Sequence, residues 1–254
     1  MKYQGLIIYE KEDGKINQFF IETITRHLNN QDIGLEFKNR DEVDGSEKTD
    51  FVINRSRDYR LSEEYEKRGI RVFNNSDVVL VGNDKRICQV ELEDKVRMME
   101  LTDDYPAVVK SIDGHGGKQV FRVESKAEED SLNLRDYIRQ KICNEPGKDK
   151  RVYILGNQIV AAVLRTSDDF KSNFSLGGKA VLDDVSEKEK AMVDIILQNY
   201  YIDYGGIDFI YHNGEPVFNE IEDAVGARML YNCSEIDIIK MYAKYIAKEL
   251  DEHV

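Results

Sequence analysis

GIDFIYHNGEPVFNEIED, residues 206–223, carries the reading that decides the fold. Two apolar-rich runs flank Asn213-Gly214, a dipeptide suited to the positive φ angles of a tight hairpin turn. On the second run Glu220 and Glu222 are two apart, so as strand residues both leave the same face of a sheet. Asp208 lies on the first run, and the register decides whether it joins them. With a two-residue turn Asp208 pairs with Asn219 and the glutamates take the other face. With a three-residue loop, or one bulged residue, Asp208 pairs with Glu220 and three carboxylates converge. Such a cluster repels itself unless a divalent cation sits within it. An exposed acidic strand face paired with lysines is the plain alternative.

Upstream, Lys110 closes the β-branched run Ala107-Val108-Val109, and Ser111-Ile-Asp-Gly-His-Gly-Gly-Lys-Gln119 turns the chain before Val120. Gly114, Gly116 and Gly117 let backbone N–H groups approach an anion with no Cβ in the way. A plain flexible hairpin loop has the same composition. The loop is not a Walker A motif, because Gln119 stands where Ser or Thr is needed. It is not the dinucleotide fingerprint either, because Gln119 also replaces the third glycine.

Residues 1–82 read as a small α/β unit. GLIIY (5–9) suits a buried strand, Ile16, Phe19, Phe20, Ile24 and Leu28 recur at helical spacing, and DFVIN (50–54) and IRVFN (70–74) are further strands around a short helix ending at Gly69. Strands alternating with helices favour a parallel sheet. Residues 83–143 follow as a central lobe, with one long helical pattern over 84–100, stopped before Pro106, and strands around the glycine loop. Residues 144–254 form a third lobe. There RVYILG and QIVAAVLRT meet at Gly156-Asn157 as a hairpin, a polar loop spans 166–178, a helix lies near 186–200, and the last helix starts near Ser234. That helix packs on its own lobe, or else on a second copy in a homo-oligomer.

The 254 residues carry a formal charge of −13, which argues against nucleic acid as a partner. No apolar run approaches membrane-spanning length and the start lacks the pattern of a signal peptide, so a cytoplasmic protein with no membrane contact is expected. Cys88, Cys143 and Cys233 are widely spaced and suggest neither disulfides nor a zinc site. His27, His115, His212 and His253 are scattered, and no nucleophile–histidine pair stands out.

The order of parts resembles the ATP-grasp superfamily, and within it the RimK-like and glutathione-synthetase-like carboxylate–amine ligases. The matching run is Asn83-Asp84-Lys85, Pro106 to Lys110, Asp113 to Gly117 with Val120, Gln140-Lys141-Ile142, Pro146 to Tyr153 with Ile154-Leu-Gly, Phe170 to Asn173 with Gly177-Gly178, and Asp208 with Glu220-Ile-Glu222. The resemblance implies mixed α/β and α+β architecture, the ATP-grasp fold behind a small N-terminal α/β domain. It implies ATP held by Lys85 and Lys110, covered by Gly114, His115, Gly116 and Gly117, and met at the adenine end by Gln140, Lys141 and Ile142, with Asp149 close by. Asp208, Glu220 and Glu222 would bind two Mg2+ ions, with Mn2+ as a substitute. Arg151, Arg165, Lys171 and Asn173 would face the acyl phosphate or the substrates, and Arg228 is a further candidate. The implied activity joins an amino-acid or peptide carboxylate to an amine through an acylphosphate. A small-molecule kinase on the same fold and a non-catalytic nucleotide-binding module are the rivals. Two departures stand out. Glu222 replaces the family's usual asparagine, and Ala224 to Tyr231 replaces its usual Asn-x-x-Pro-Gly continuation.

Overall fold

The computed structural model describes residues 1–115, 117, 119–167 and 179–252. Its first sheet is parallel, in the order β2-β1-β3-β4, from strands β1 (Tyr3–Tyr9), β2 (Ile33–Asn39), β3 (Phe51–Asn54) and β4 (Arg71–Phe73). A parallel sheet is covered on both faces, and alternation along β1 shows how. Leu6 and Ile8 pack with Val52, Leu61, Tyr65 and Val72, beneath helix α3 (Tyr59–Glu66). Ile7 and Tyr9 pack on the opposite side with Phe20, Ile24 and Leu28 of helix α2 (Gln18–Asn29).

The helical stripe expected through Ile16 and Phe19 is interrupted. Helix α1 (Lys11–Ile16) ends and α2 begins across Asn17, leaving Ile16 and Phe19 outside the core while Phe20, Ile24 and Leu28 stay in it. The long helix expected over 84–100 is likewise not formed. Helix α4 (Ser76–Asn83) comes first, capped by Asn75. Asp84 then caps a second helix, α5 (Lys85–Leu92), by accepting the N–H groups of Arg86 and Ile87. Beyond it, Met98, which the periodicity assigned to the helix, instead bridges to Phe218, and Leu101 just after it bridges to Gln140.

The second sheet, antiparallel β6-β5-β7, comprises β5 (Ala107–Ser111), β6 (Val120–Val123) and β7 (Tyr137–Gln140), with helix α6 (Lys126–Ser131) between the last two. The third is a five-stranded antiparallel sheet, β10-β9-β8-β11-β12, of β8 (Lys148–Leu155), β9 (Gln158–Thr166), β10 (Lys179–Asp183), β11 (Tyr204–His212) and β12 (Glu215–Glu222). Gly156 and Asn157 both have positive φ, as do Asn213 and Gly214, so both hairpins close on two-residue turns of the kind their sequences favour.

Helix α7 (Glu187–Asn199) starts at a Ser186/Glu189 capping box. It covers one face of the third sheet, where Val152, Ile154, Ile207, Phe209, Phe218 and Ile221 meet Met192, Val193 and Ile196. The other face is divided. Tyr153, Ala161, Val163 and Tyr204 pack against the last helix, α9 (Ile238–Glu252), and α2 in one continuous core, while the rest of the face lies open as the floor of a cleft. The last helix therefore does not serve its own lobe alone. Tyr242 stacks on Tyr204 with 4.7 Å between ring centroids, and Ile239, Ile246 and Leu250 join the core that holds the first sheet. None of the helices is long and apolar enough to cross a membrane among the described residues.

Candidate active site

The hairpin that opened the sequence reading has both features that were set against each other. The turn at Asn213-Gly214 holds two residues, and His212 through Phe209 pair regularly with Glu215 through Phe218. The register then slips by one, so that Asp208 pairs with Glu220 and Gly206 with Glu222. Asn219 is the extra residue of a β-bulge. Asp208, Glu220 and Glu222 therefore lie on one face of the sheet. The bulge had a readable signal: Phe218 and Ile221 are three apart yet both enter the core beneath α7, which strict alternation forbids.

The same face continues across the sheet. Arg151 of β8 lies directly opposite Asp208, and Asp149 opposite Arg165 of β9. Arg151 donates from Nε to Asp208 Oδ1 and from Nη2 to Oδ2, each at 2.7 Å, and Nη2 also reaches Glu222 at 3.3 Å. Arg165 donates to Asp208 Oδ2 at 2.8 Å and to Asp149. Burial alone would raise the Asp208 pKa, but Arg151 and then Arg165 hold it down at about 2. Gly206 leaves room for this arrangement, since a Cβ there would stand 3.2 Å from Arg151 Cδ.

The facing wall comes from the second sheet and α5. Val108, Lys110 and Gln140 line the cleft, whereas Val109 and Tyr137 pack away from it. Lys110 Nζ donates to the bulged Asn219 at 2.9 Å, a partner that the sequence reading missed. Loss of water pulls the Lys110 pKa down to about 8, against the opposing pull of Glu220. Lys85 Nζ donates to the Gly114 carbonyl at 2.6 Å and lies 3.6 Å from Glu220 Oε2. Lysines, glycine loop and acidic strand thus meet across a cleft of about 900 Å³.

The remaining expected residues divide. Gly114, Gly117, Lys141, Asp149 and Arg228 line the cleft, and Ile142 lies between the lining residues Lys141 and Cys143. Lys141 is ion-paired with Glu100 at the surface. His115 is not among the lining residues. Burial, with Arg57 and Lys85 nearby, pushes its pKa down to about 4, so it carries no charge for phosphate at neutral pH. Gln140 donates to Gln89 at 2.8 Å, and its buried Oε1 has no donor among the described residues. Gly116, Phe170, Lys171, Asn173, Gly177 and Gly178 lie outside the described residues.

A closed metal cage is not present. Among the described residues no three acidic, histidine or cysteine side chains are gathered closely enough to hold an ion, and Asp208, expected as a ligand, is engaged by two arginines. The donor set nonetheless fits a hard cation. Glu220 and Glu222 are half-buried carboxylates on one face, and Asp208 accepts three hydrogen bonds of the roughly four a carboxylate can take.

Comparison with known proteins gives the family and the fold. The chain is 27% identical to the uncharacterized protein MG011 of Mycoplasma genitalium, over 96% of its own length and 92% of that protein's. It is 35% identical to N-acetylaspartylglutamate synthase A of Homo sapiens over 56% of its own length, and spans 38% of that protein. The crystal structure of D-alanine–D-alanine ligase from Bacillus anthracis complexed with ATP superposes with a TM-score of 0.71 at 14% identity, covering 97% of this chain and 99% of the other. A family model described as the RimK-like ATP-grasp domain matches residues 67–246, and the chain belongs to that family.

Proposed function

We propose that this chain, an ATP-dependent carboxylate–amine ligase, joins an amino-acid or peptide carboxylate to an amine through an acylphosphate made in the cleft between its second and third sheets. The bulge at Asn219 carries this reading. One extra residue turns Glu220 and Glu222 onto the face of Asp208 and places an acceptor on Lys110.

In this reading Lys85 and Lys110 neutralise phosphate oxygens, and the backbone of Gly114, Gly116 and Gly117 covers them, with His115 neutral beside the loop. The unpartnered Gln140 Oε1 accepts from the adenine amino group, and the Ile142 backbone and Lys141 border the base. Glu220, Glu222 and the remaining acceptor position of Asp208 would hold Mg2+, as two ions, with Mn2+ as a substitute. Bound there, the metal would neutralise the phosphate charge that builds up during transfer. Arg151 and Arg165, steadied by Asp149 and Asp208, orient the substrate carboxylate, and Lys171 and Asn173 are assigned to the same substrates by family resemblance alone.

A carboxylate oxygen bonds to the γ-phosphorus as the bond to the β–γ bridging oxygen breaks, releasing ADP. The amine nitrogen then bonds to the acyl carbon, the C–O bond breaks, phosphate departs and the amine proton passes to solvent. Such displacements need positioning and charge neutralisation more than a protein nucleophile. The divisions 1–82, 83–143 and 144–254 belong to the same reading, as does a cytoplasmic setting, which the three free cysteines fit.

Incubating the protein with Mg-ATP and pools of amino acids and short peptides, then measuring phosphate release and product mass, tests the proposal. Amine-dependent phosphate release with a condensed product is expected. A phosphorylated alcohol would make the protein a kinase, and nucleotide binding without turnover a binding module.

A further inference from the structure

Part of the cleft lining comes from Phe19 of α2 and from helix α8 (Arg228–Cys233), in the segment that departs from the family's usual continuation. Among the described residues, every other lysine or arginine lining the cleft contacts a carboxylate, amide or carbonyl oxygen. Arg228 is exposed, and its side chain makes no hydrogen bond or ion pair with any described residue. Asn232, one helical turn on and so on the same side of α8, is exposed and similarly unengaged among the described residues.

The wall around this pair is apolar. Phe19 is 48% exposed and packs edge-on against Tyr231 at 6.0 Å between centroids, with Met229 beside them. The Tyr231 hydroxyl is already committed, donating to Asp237 at 2.7 Å, so this residue offers a ring to the cleft and no spare donor. The wall is also braced. Arg55, buried against the Phe20 ring at 4.2 Å, donates to the Val225 carbonyl at 2.7 Å and ties the segment before α8 to the N-terminal unit.

We propose that Arg228, with Asn232, holds the unreacted carboxylate of the amine substrate, and that Phe19, Met229 and Tyr231 enclose its side chain. The acceptor is then an α-amino acid with a large aliphatic or aromatic side chain. This assignment rests on the ligase reading above. The carboxylate that is phosphorylated must reach the γ-phosphate among Lys85, Lys110 and Arg151, whereas a carboxylate on Arg228 stays clear of the chemistry and aims the amine. An acidic side chain is disfavoured because, among the described residues lining the cleft, Arg228 is the one cation without a partner, and a second carboxylate would lie against the apolar wall of Phe19, Met229 and Tyr231.

The test is calorimetric binding of L-phenylalanine, L-leucine, L-glutamate, glycine and L-phenylalaninamide to the full chain with Mg-AMPPNP. L-phenylalanine is expected to bind roughly tenfold or more tightly than its amide, and more tightly than L-glutamate. Arg228→Gln should erase the preference for acid over amide, and Arg228→Lys should restore part of it. Phe19→Ala should weaken L-phenylalanine by about tenfold and leave glycine unchanged. Both residues are exposed, and cooperative thermal unfolding of each variant checks its fold. Equal binding of acid and amide by the wild type, tighter binding of L-glutamate, a preference that survives in Arg228→Gln, or no amino-acid binding at all would each overturn the assignment. Failure to bind Mg-AMPPNP would sink the ligase reading itself, whereas nucleotide binding without the acid preference sinks only the acceptor.

Discussion

Glu129 and Asp208 are both buried carboxylates surrounded by donors, and they serve opposite ends. Glu129, on the helix-covered side of the second sheet, accepts from Tyr105, Tyr137, Lys126 and Arg139 at 2.6 to 3.0 Å. Its side chain is 1% exposed and is not among the residues lining the cleft. Asp208, on the third sheet, is held by Arg151 and Arg165 but forms part of the cleft wall. A network closed on every side stabilises the fold. One that keeps a face open to a cavity holds charges where a ligand can use them. Burial and ion pairing alone do not separate the two; what lies on the remaining side does.

The largest effects that would break this contrast are catalytic. Lys110→Ala and Glu220→Ala should each lower turnover by roughly 100-fold or more, since each removes a charge from the path proposed for the phosphates. Their unfolding should remain cooperative, because neither side chain belongs to a core. Phosphate-release kinetics together with calorimetric unfolding would show it, and wild-type turnover in both variants would remove the site assignment.

Glu129→Gln should do the reverse, costing about 3 kcal/mol of stability because it leaves Arg139 and Lys126 without their shared carboxylate. Turnover below the melting transition should be unaffected. Burial would raise the Glu129 pKa, but its hydrogen bonds from Tyr137, Lys126, Arg139 and Tyr105 hold it down at about 2, against 4.5 ordinarily. A depressed carboxylate contributes stability that is present above about 4.5 and lost as the pH falls from there toward 2. Melting temperature against pH should therefore fall more steeply across that window in the wild type than in Glu129→Gln. Parallel curves would show that the network is not what stabilises the lobe.

Much of this architecture was legible where local chemistry and tertiary packing agree. The Asn213-Gly214 and Gly156-Asn157 turns, the apolar run at 5–9 and the stripe Phe20, Ile24, Leu28 all occupy the elements that their composition favours. What was hidden depended on partners distant in sequence. Val78, Val79 and Val81 are β-branched yet helical, because α4 is buried against β12 and α5. Phe19 continues the stripe of α2 in the sequence but lies outside the face that Phe20, Ile24 and Leu28 bury, and lines the cleft. Within the site, the spacing of Glu220 and Glu222 announced a shared face, yet the side of Asp208 hung on a bulge. Phe218 and Ile221 declare that bulge only once both are known to be core.

Smaller perturbations can separate the roles of bulge and turn. Asn219→Ala removes the acceptor on Lys110 and should raise the KM for ATP by about tenfold with a smaller change in kcat, as expected of a residue that positions another. Gly214→Ala should do less. Gly214 has φ +74°, and a Cβ there would meet no atom within 4 Å, so the cost is backbone strain alone, about 1 kcal/mol. The register at Asp208 should survive, because it is set beyond the bulge by Phe218 and Ile221 entering the core under α7. Stability should therefore fall with kcat and KM unchanged. If turnover collapses as well, the turn and not the core pairing fixes which face the carboxylates take, and the contrast between a closed network and an open one would rest on the tip of a hairpin.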